Sequence, residues 1–115
     1  MSSKLRTDLR NILLQWQSST LEPKEVLEWS EERYESEDLQ SGDEAALSIL
    51  TLLDSLHVNL ITIDDVPVFL QMLELPPDKE EEALHLLEQH SERIVLEARK
   101  MKYRNHPLYG LFCND

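Results

Sequence analysis

The stretch EERYESED, residues 31–38, places five carboxylates around one tyrosine, and Glu25, Glu28 and Trp29 lie just before it. Three kinds of chemistry suit such a run: ligation of a hard divalent cation, attraction of a basic partner, or solvation of one side of a helix. Projection at 100° per residue discriminates among them. Glu25, Glu28, Glu32 and Glu35 fall within about 80° of one another, opposite Val26, Leu27 and Tyr34, so the acids form a ridge toward water. Trp29 projects to the margin of that ridge, with Glu25 and Glu32 one turn to either side. A rigid aromatic flanked by acids has the composition of a hot spot for an Arg- or Lys-rich partner. The plainer reading of the same residues is a solvated helix face, since surface carboxylates are common.

A metal site finds less support in the spacing. Glu25, Glu28 and Glu31 have the i, i+3, i+6 spacing of helical carboxylate sites. A magnesium-dependent nucleotide hydrolase of the all-helical kind needs a second acidic pair facing the first from another helix. The ExxD pair here, Glu35 and Asp38, continues the same segment instead. Glu82 and His85 have the ExxH spacing of di-iron bundles, which require the motif twice and two further glutamates. His57 projects with a core stripe and is expected as a hydrogen-bonded boundary residue, while His85 and His90 are expected on an exposed side. Gly42 and Gly110 are the only glycines, which leaves no phosphate-cradling loop, and Cys113 stands alone near the end. No metal, no cofactor and no catalytic residue are expected.

The elements that hold these residues are helical. Leu5, Leu9, Ile12, Leu13 and Trp16 make one stripe at helical period, which predicts a first helix over about residues 3–17. Ser18, Ser19 and Thr20 break it, and Pro23 opens a second helix at the position where its missing N–H is harmless. Ser41 to Glu44 reads as a turn with a capping box, followed by a third helix to about residue 57 whose wide apolar set makes it central. The β-branched VNLITI has no partner segment and is expected as an extended link. Thr62 or Asp64 caps a fourth helix that ends before Pro76-Pro77. The longest helix runs over about 78–102 with a seam of Leu84, Leu87, Ser91, Ile94, Ala98 and Met101; its acids at one end and bases at the other complement the macrodipole. RNHPLYGLFCND follows as a non-helical tail over 103–115, expected to dock. In the fourth helix, Val68, Met72 and Leu75 project away from the stripe Val66, Phe69, Leu70 and Leu73. That second apolar side predicts either a cover by the tail or a subunit face.

A chain of 115 residues with 41% hydrophobic residues suits one domain with a single core. The net charge of −12 lies almost wholly between residues 20 and 98. Such a body repels phosphate backbones, so a basic protein and not a nucleic acid is the expected partner. The lone cysteine and the absence of long apolar runs point to a cytoplasmic chain with no membrane association.

The first helix, its short polar break and the sequence LEPKEVLEWSEER are similar to the opening of small acidic bacterial immunity proteins of the colicin D type. That likeness spans about a third of the chain and is one of pattern. It implies an inhibitor that covers a basic toxin's active site with carboxylates, and Glu28, Trp29 and Glu32 are where such a contact would be sought. The expected molecule is therefore an all-α, single-domain bundle of about five helices with a long C-terminal helix and an irregular tail. Its expected role is a non-enzymatic acidic binding module. A self-associating scaffold, homodimeric through Val68, Met72 and Leu75, is the second reading, and a small metal-dependent nucleotide hydrolase the third.

Overall fold

The computed structural model describes residues 4–34 and 44–110. Helix α1, Lys4–Gln17, forms where the apolar period predicts it, and Leu5, Leu9, Leu13 and Trp16 are each no more than 1% exposed. Its last turn is closed by Ser19 in the left-handed region, with the Thr20 and Leu21 amides returning to the Gln15 carbonyl. Helix α2, Pro23–Tyr34, starts with proline at its first position. The Glu25 carboxylate accepts the amide of Glu22, so one member of the acidic ridge also caps its own helix. Val26, Leu27 and Ser30 are its buried residues, and the Ser30 hydroxyl is satisfied by the Val26 carbonyl.

Helix α3, Glu44–Leu53, buries Ala45, Ala46, Ile49, Leu50 and Leu53 and borders α1 and α2, a central position. The expected continuation to residue 57 is broken: a turn at Asp54 and Ser55 separates α3 from the single-turn helix α4, Leu56–Asn59. Leu60 ends α4 in the left-handed conformation at φ 53°, and a short 3-10 turn covers Ile63–Asp65. The extended link therefore shrinks to Ile61 and Thr62. Neither predicted residue caps the following helix, whose N-cap position is Asp65; Thr62 caps the 3-10 turn that leads into it. Its hydroxyl accepts the Asp64 amide while Asp65 accepts the Thr62 amide at 2.8 Å, a reciprocal capping box.

Helix α5, Val66–Glu74, ends ahead of Pro76-Pro77 as expected. Its exit is closed by Arg6 of α1, 4% exposed, which donates to the Leu73 and Leu75 carbonyls at 2.9 and 2.7 Å. The two-sided reading of this helix is corrected. Met72 is 0% exposed and belongs to the same buried arc as Val66, Phe69 and Leu73, with Val68 and Leu75 half-buried at its border. Helix α6, Glu80–Arg93, covers α5 on one side and α1 covers it on another, so Val68, Met72 and Leu75 offer no free subunit face.

The long C-terminal helix is also corrected. Ile94 and Val95 adopt extended backbone, which splits it into α6 and α7, Leu96–Tyr103. Two adjacent β-branched residues are poor helix formers, and each piece carries its own acid-to-base gradient, so neither needs the other for its end charges. The seam shifts accordingly: Ala83 is buried with Leu86 and Leu87 against the core, whereas Ser91, Ala98 and Met101 are exposed. No strand occurs among the described residues, and no helix among them is long and apolar enough to cross a membrane.

Candidate functional site

The acidic ridge lies on the water side of α2. Glu25, Glu28, Glu31 and Glu32 are exposed, and Trp29 is half-buried, its ring packed against the core cluster. Glu35, together with Glu37 and Asp38, lies outside the described residues. The orientation follows from Val26, Leu27 and Ser30 facing inward, which turns the positions half a helical circumference away toward solvent. Arg33 fixes the helix from its flank through an ion pair with Asp8 of α1 at 3.4 Å. Tyr34 differs from expectation: it is 42% exposed at the last position of α2 instead of packing inward.

Chemically the ridge can attract and orient cationic groups. Several carboxylates in water, spaced one turn apart, produce a negative field, and Trp29 beside them supplies a rigid apolar contact and a π face for a guanidinium or ammonium group. No three His, Cys, Asp or Glu side chains converge as a metal-holding group among the described residues. Glu82 instead pairs with Lys79 at 3.8 Å, and His85 Nε2 lies 3.1 Å from the Gln89 side chain, so that ExxH spacing is two separate surface contacts.

A second constellation is one that helical projection missed. Asp65, 0% exposed, is the meeting point of α6, α7 and the loop before α5. Arg99 donates to both carboxylate oxygens at 2.7 and 2.8 Å and to the Leu60 carbonyl at 2.9 Å. His90 donates from Nε2 to the same carboxylate, which corrects its expected exposed position. Burial alone pushes the Asp65 carboxyl upward, but the hydrogen bonds from Arg99, His90 and the Thr62 amide, with the charge of Arg99, hold it below the ordinary carboxylate range. Burial lowers and Asp65 raises the Arg99 guanidinium, and the net direction is up. A carboxylate so saturated with donors is a fixed anion that ties elements together, not a base aimed at a substrate.

The tail completes this region. Tyr109 is fully buried and its hydroxyl donates to the Ile61 carbonyl at 2.6 Å. Burial, then Tyr103 and Asp65, push the phenol well up, against a smaller opposing effect of Arg99. Tyr103, His106 and Tyr109 form an aromatic trio with centroids 4.9 to 5.9 Å apart. Gly110 packs so closely that a Cβ there would meet the Arg104 carbonyl at 2.7 Å. Leu111, Phe112 and Cys113 lie outside the described residues.

The spacing Thr62-x-x-Asp65 was a legible signal for part of this cluster, as a capping box. Nothing in periodicity could reveal the rest. On one continuous helix His90 and Arg99 would project about 180° apart, and only the break at Ile94 and Val95 lets both reach one carboxylate. Comparison of the chain with protein families, with curated proteins and with solved structures returned no match in any of the three.

Proposed function

We propose that the protein is a non-enzymatic binding module that presents the α2 ridge to a basic protein. The observation that supports this most is the exposure of Glu25, Glu28 and Glu32 around a Trp29 that is anchored in the core yet reachable at its edge. Anchoring matters because an aromatic already held in place loses little freedom when a partner covers it, so its contact area converts into affinity efficiently. The surrounding carboxylates accelerate encounter with a cationic surface. The colicin D-type likeness of the first helix, the polar break and residues 21–33 supports a finer form of the reading, an inhibitor whose carboxylates occupy the basic active site of a toxin.

The test is capture of a basic protein from native lysate on the immobilised chain, followed by association kinetics with the captured protein at two salt concentrations. Glu25→Lys, Glu28→Lys and Glu32→Lys together are expected to slow association at least tenfold at low salt and flatten its salt dependence. Glu80→Lys, Glu81→Lys and Glu82→Lys together change the total charge equally on another acidic surface and are expected to leave most of the rate intact. Equal slowing by both triplets would mean that net charge, not this ridge, draws the partner.

A further inference from the structure

Residues 95–110 are attached to the core through few side chains: Tyr109 is fully buried in it, and Tyr103 and Leu108 pack against it half-buried. Helix α7 has no buried residue, and Val95, Leu96 and Met101 are 63%, 52% and 78% exposed. Eight residues are too few for a helix to persist alone in water, so α7 depends on what holds it to the body. Several of the segment's polar holds meet on the short loop of residues 60–65: Arg99 on Leu60 and Asp65, Tyr109 on Ile61, and Lys102 on Asp64 at 3.4 Å. The chain entering α7 is extended at Ile94, φ −73° and ψ 128°, and at Val95, φ −102° and ψ 97°. Such a joint can swing without unwinding a helix.

We infer that residues 95–110 form a strap, jointed at Ile94 and Val95, that opens from the body as a unit, withdrawing Tyr109, while helices α1 to α6 stay folded. The lock is built for this. When Arg99 lets go, Asp65 keeps the Thr62 amide and His90, so opening leaves no bare carboxylate in the interior. On the strap side the guanidinium passes to water, where it is fully hydrated. Tyr103 and Tyr109 of the closed strap form one wall of an open cleft of about 290 Å³ whose other walls include Trp16, Leu21 and Ile63. Opening removes that wall and bares the Trp16, Leu21 and Ile63 side of the cleft beside Glu22 and Pro23 at the entry of α2. The inference stands apart from partner binding at the ridge and holds or fails without it.

Hydrogen exchange of the full chain, read by mass spectrometry at peptide level under native conditions, tests it. Peptides from 96–110 are expected to exchange at least roughly tenfold faster than those of α3 and α5, the signature of a segment that opens below the free energy of global unfolding. Arg99→Gln is expected to speed the 96–110 peptides by about another tenfold, since a bidentate charge-assisted pair is lost, and to leave α3 and α5 unchanged. Equal protection of 96–110, α3 and α5 in the native chain would overturn the strap, because the segment would then open only when everything does. So would an Arg99→Gln chain in which 96–110 is unaffected, or in which all peptides accelerate together. The native-chain comparison decides the matter even where the variant folds poorly.

Discussion

Helices α5 and α7 are of similar length, nine and eight residues, and they are held by opposite means. Helix α5 buries Val66, Phe69, Met72 and Leu73 between α1 and α6; α7 has no fully buried residue, rests half-buried Tyr103 on the core, and is secured chiefly by polar holds, above all Arg99 on the Asp65 carboxylate. Apolar packing is non-directional and shared among many neighbours, so it makes α5 part of a cooperative core. A bidentate ion pair is directional and local, so it fixes where α7 sits without binding it into that core. The contrast explains how one short chain can hold a rigid face at α2 and a segment that opens independently at its other end.

The comparison can be broken most forcefully from the core side. Phe69→Ala, at a ring 1% exposed, is expected to cost about 3–5 kcal/mol and to lower the protection of core and strap together in chemical denaturation and hydrogen exchange. Loss confined to α5 would show that the core is not cooperative. Asp65→Ala removes the anion beneath Arg99 and also the acceptor of the Thr62 amide, so about 3 kcal/mol is expected from denaturant titration. Its effect should fall first on residues 95–110, and an effect that begins in α1 or α3 would mean that α7 and the core are held as one.

Tyr109→Phe sharpens it on a smaller scale. Loss of one buried hydroxyl bonded to the Ile61 carbonyl is expected to cost about 1 kcal/mol, read as faster exchange of the tail alone. The pH dependence has a definite sign at each end. Asp65 titrates lower in the folded chain than in the unfolded one, so its contribution is complete above the ordinary carboxylate pKa of about 3.9 and fades as pH falls below that value. Tyr109 is raised on folding, so its contribution is complete below the ordinary phenol pKa of about 10 and fades as pH rises beyond it. Thermal melts from pH 9 to 11 should therefore decline less in Tyr109→Phe than in the native chain; identical slopes would detach that phenol from the alkaline loss.

Much of the architecture was legible because periodicity is a local property. The stripe from Leu5 to Trp16, the proline start of α2 and the stop before Pro76-Pro77 each follow from steric and hydrogen-bonding rules that act within one or two turns. The same rule set the outward direction of Glu25, Glu28 and Glu32. It does not reach Met72, whose arc is centred by the helices on either side, nor the span 78–102, where two shorter helices satisfy the charge gradient as well as one. A helical wheel gives the relative angles of side chains but not which angle faces the neighbour, and that is a matter of what lies alongside.

Residue order was enough to make the described residues helical without strands, to place the starts of most of those helices, and to set acids and an indole on one face of α2. Only the tertiary structure decided that Asp65, His90, Arg99 and Tyr109 belong to one region, because they are up to 44 positions apart and nothing but the break after α6 and the turn before α5 brings them together. Local sterics act over a few residues, whereas a buried charge selects its partners across the whole fold, and does so only once the core has excluded water around it.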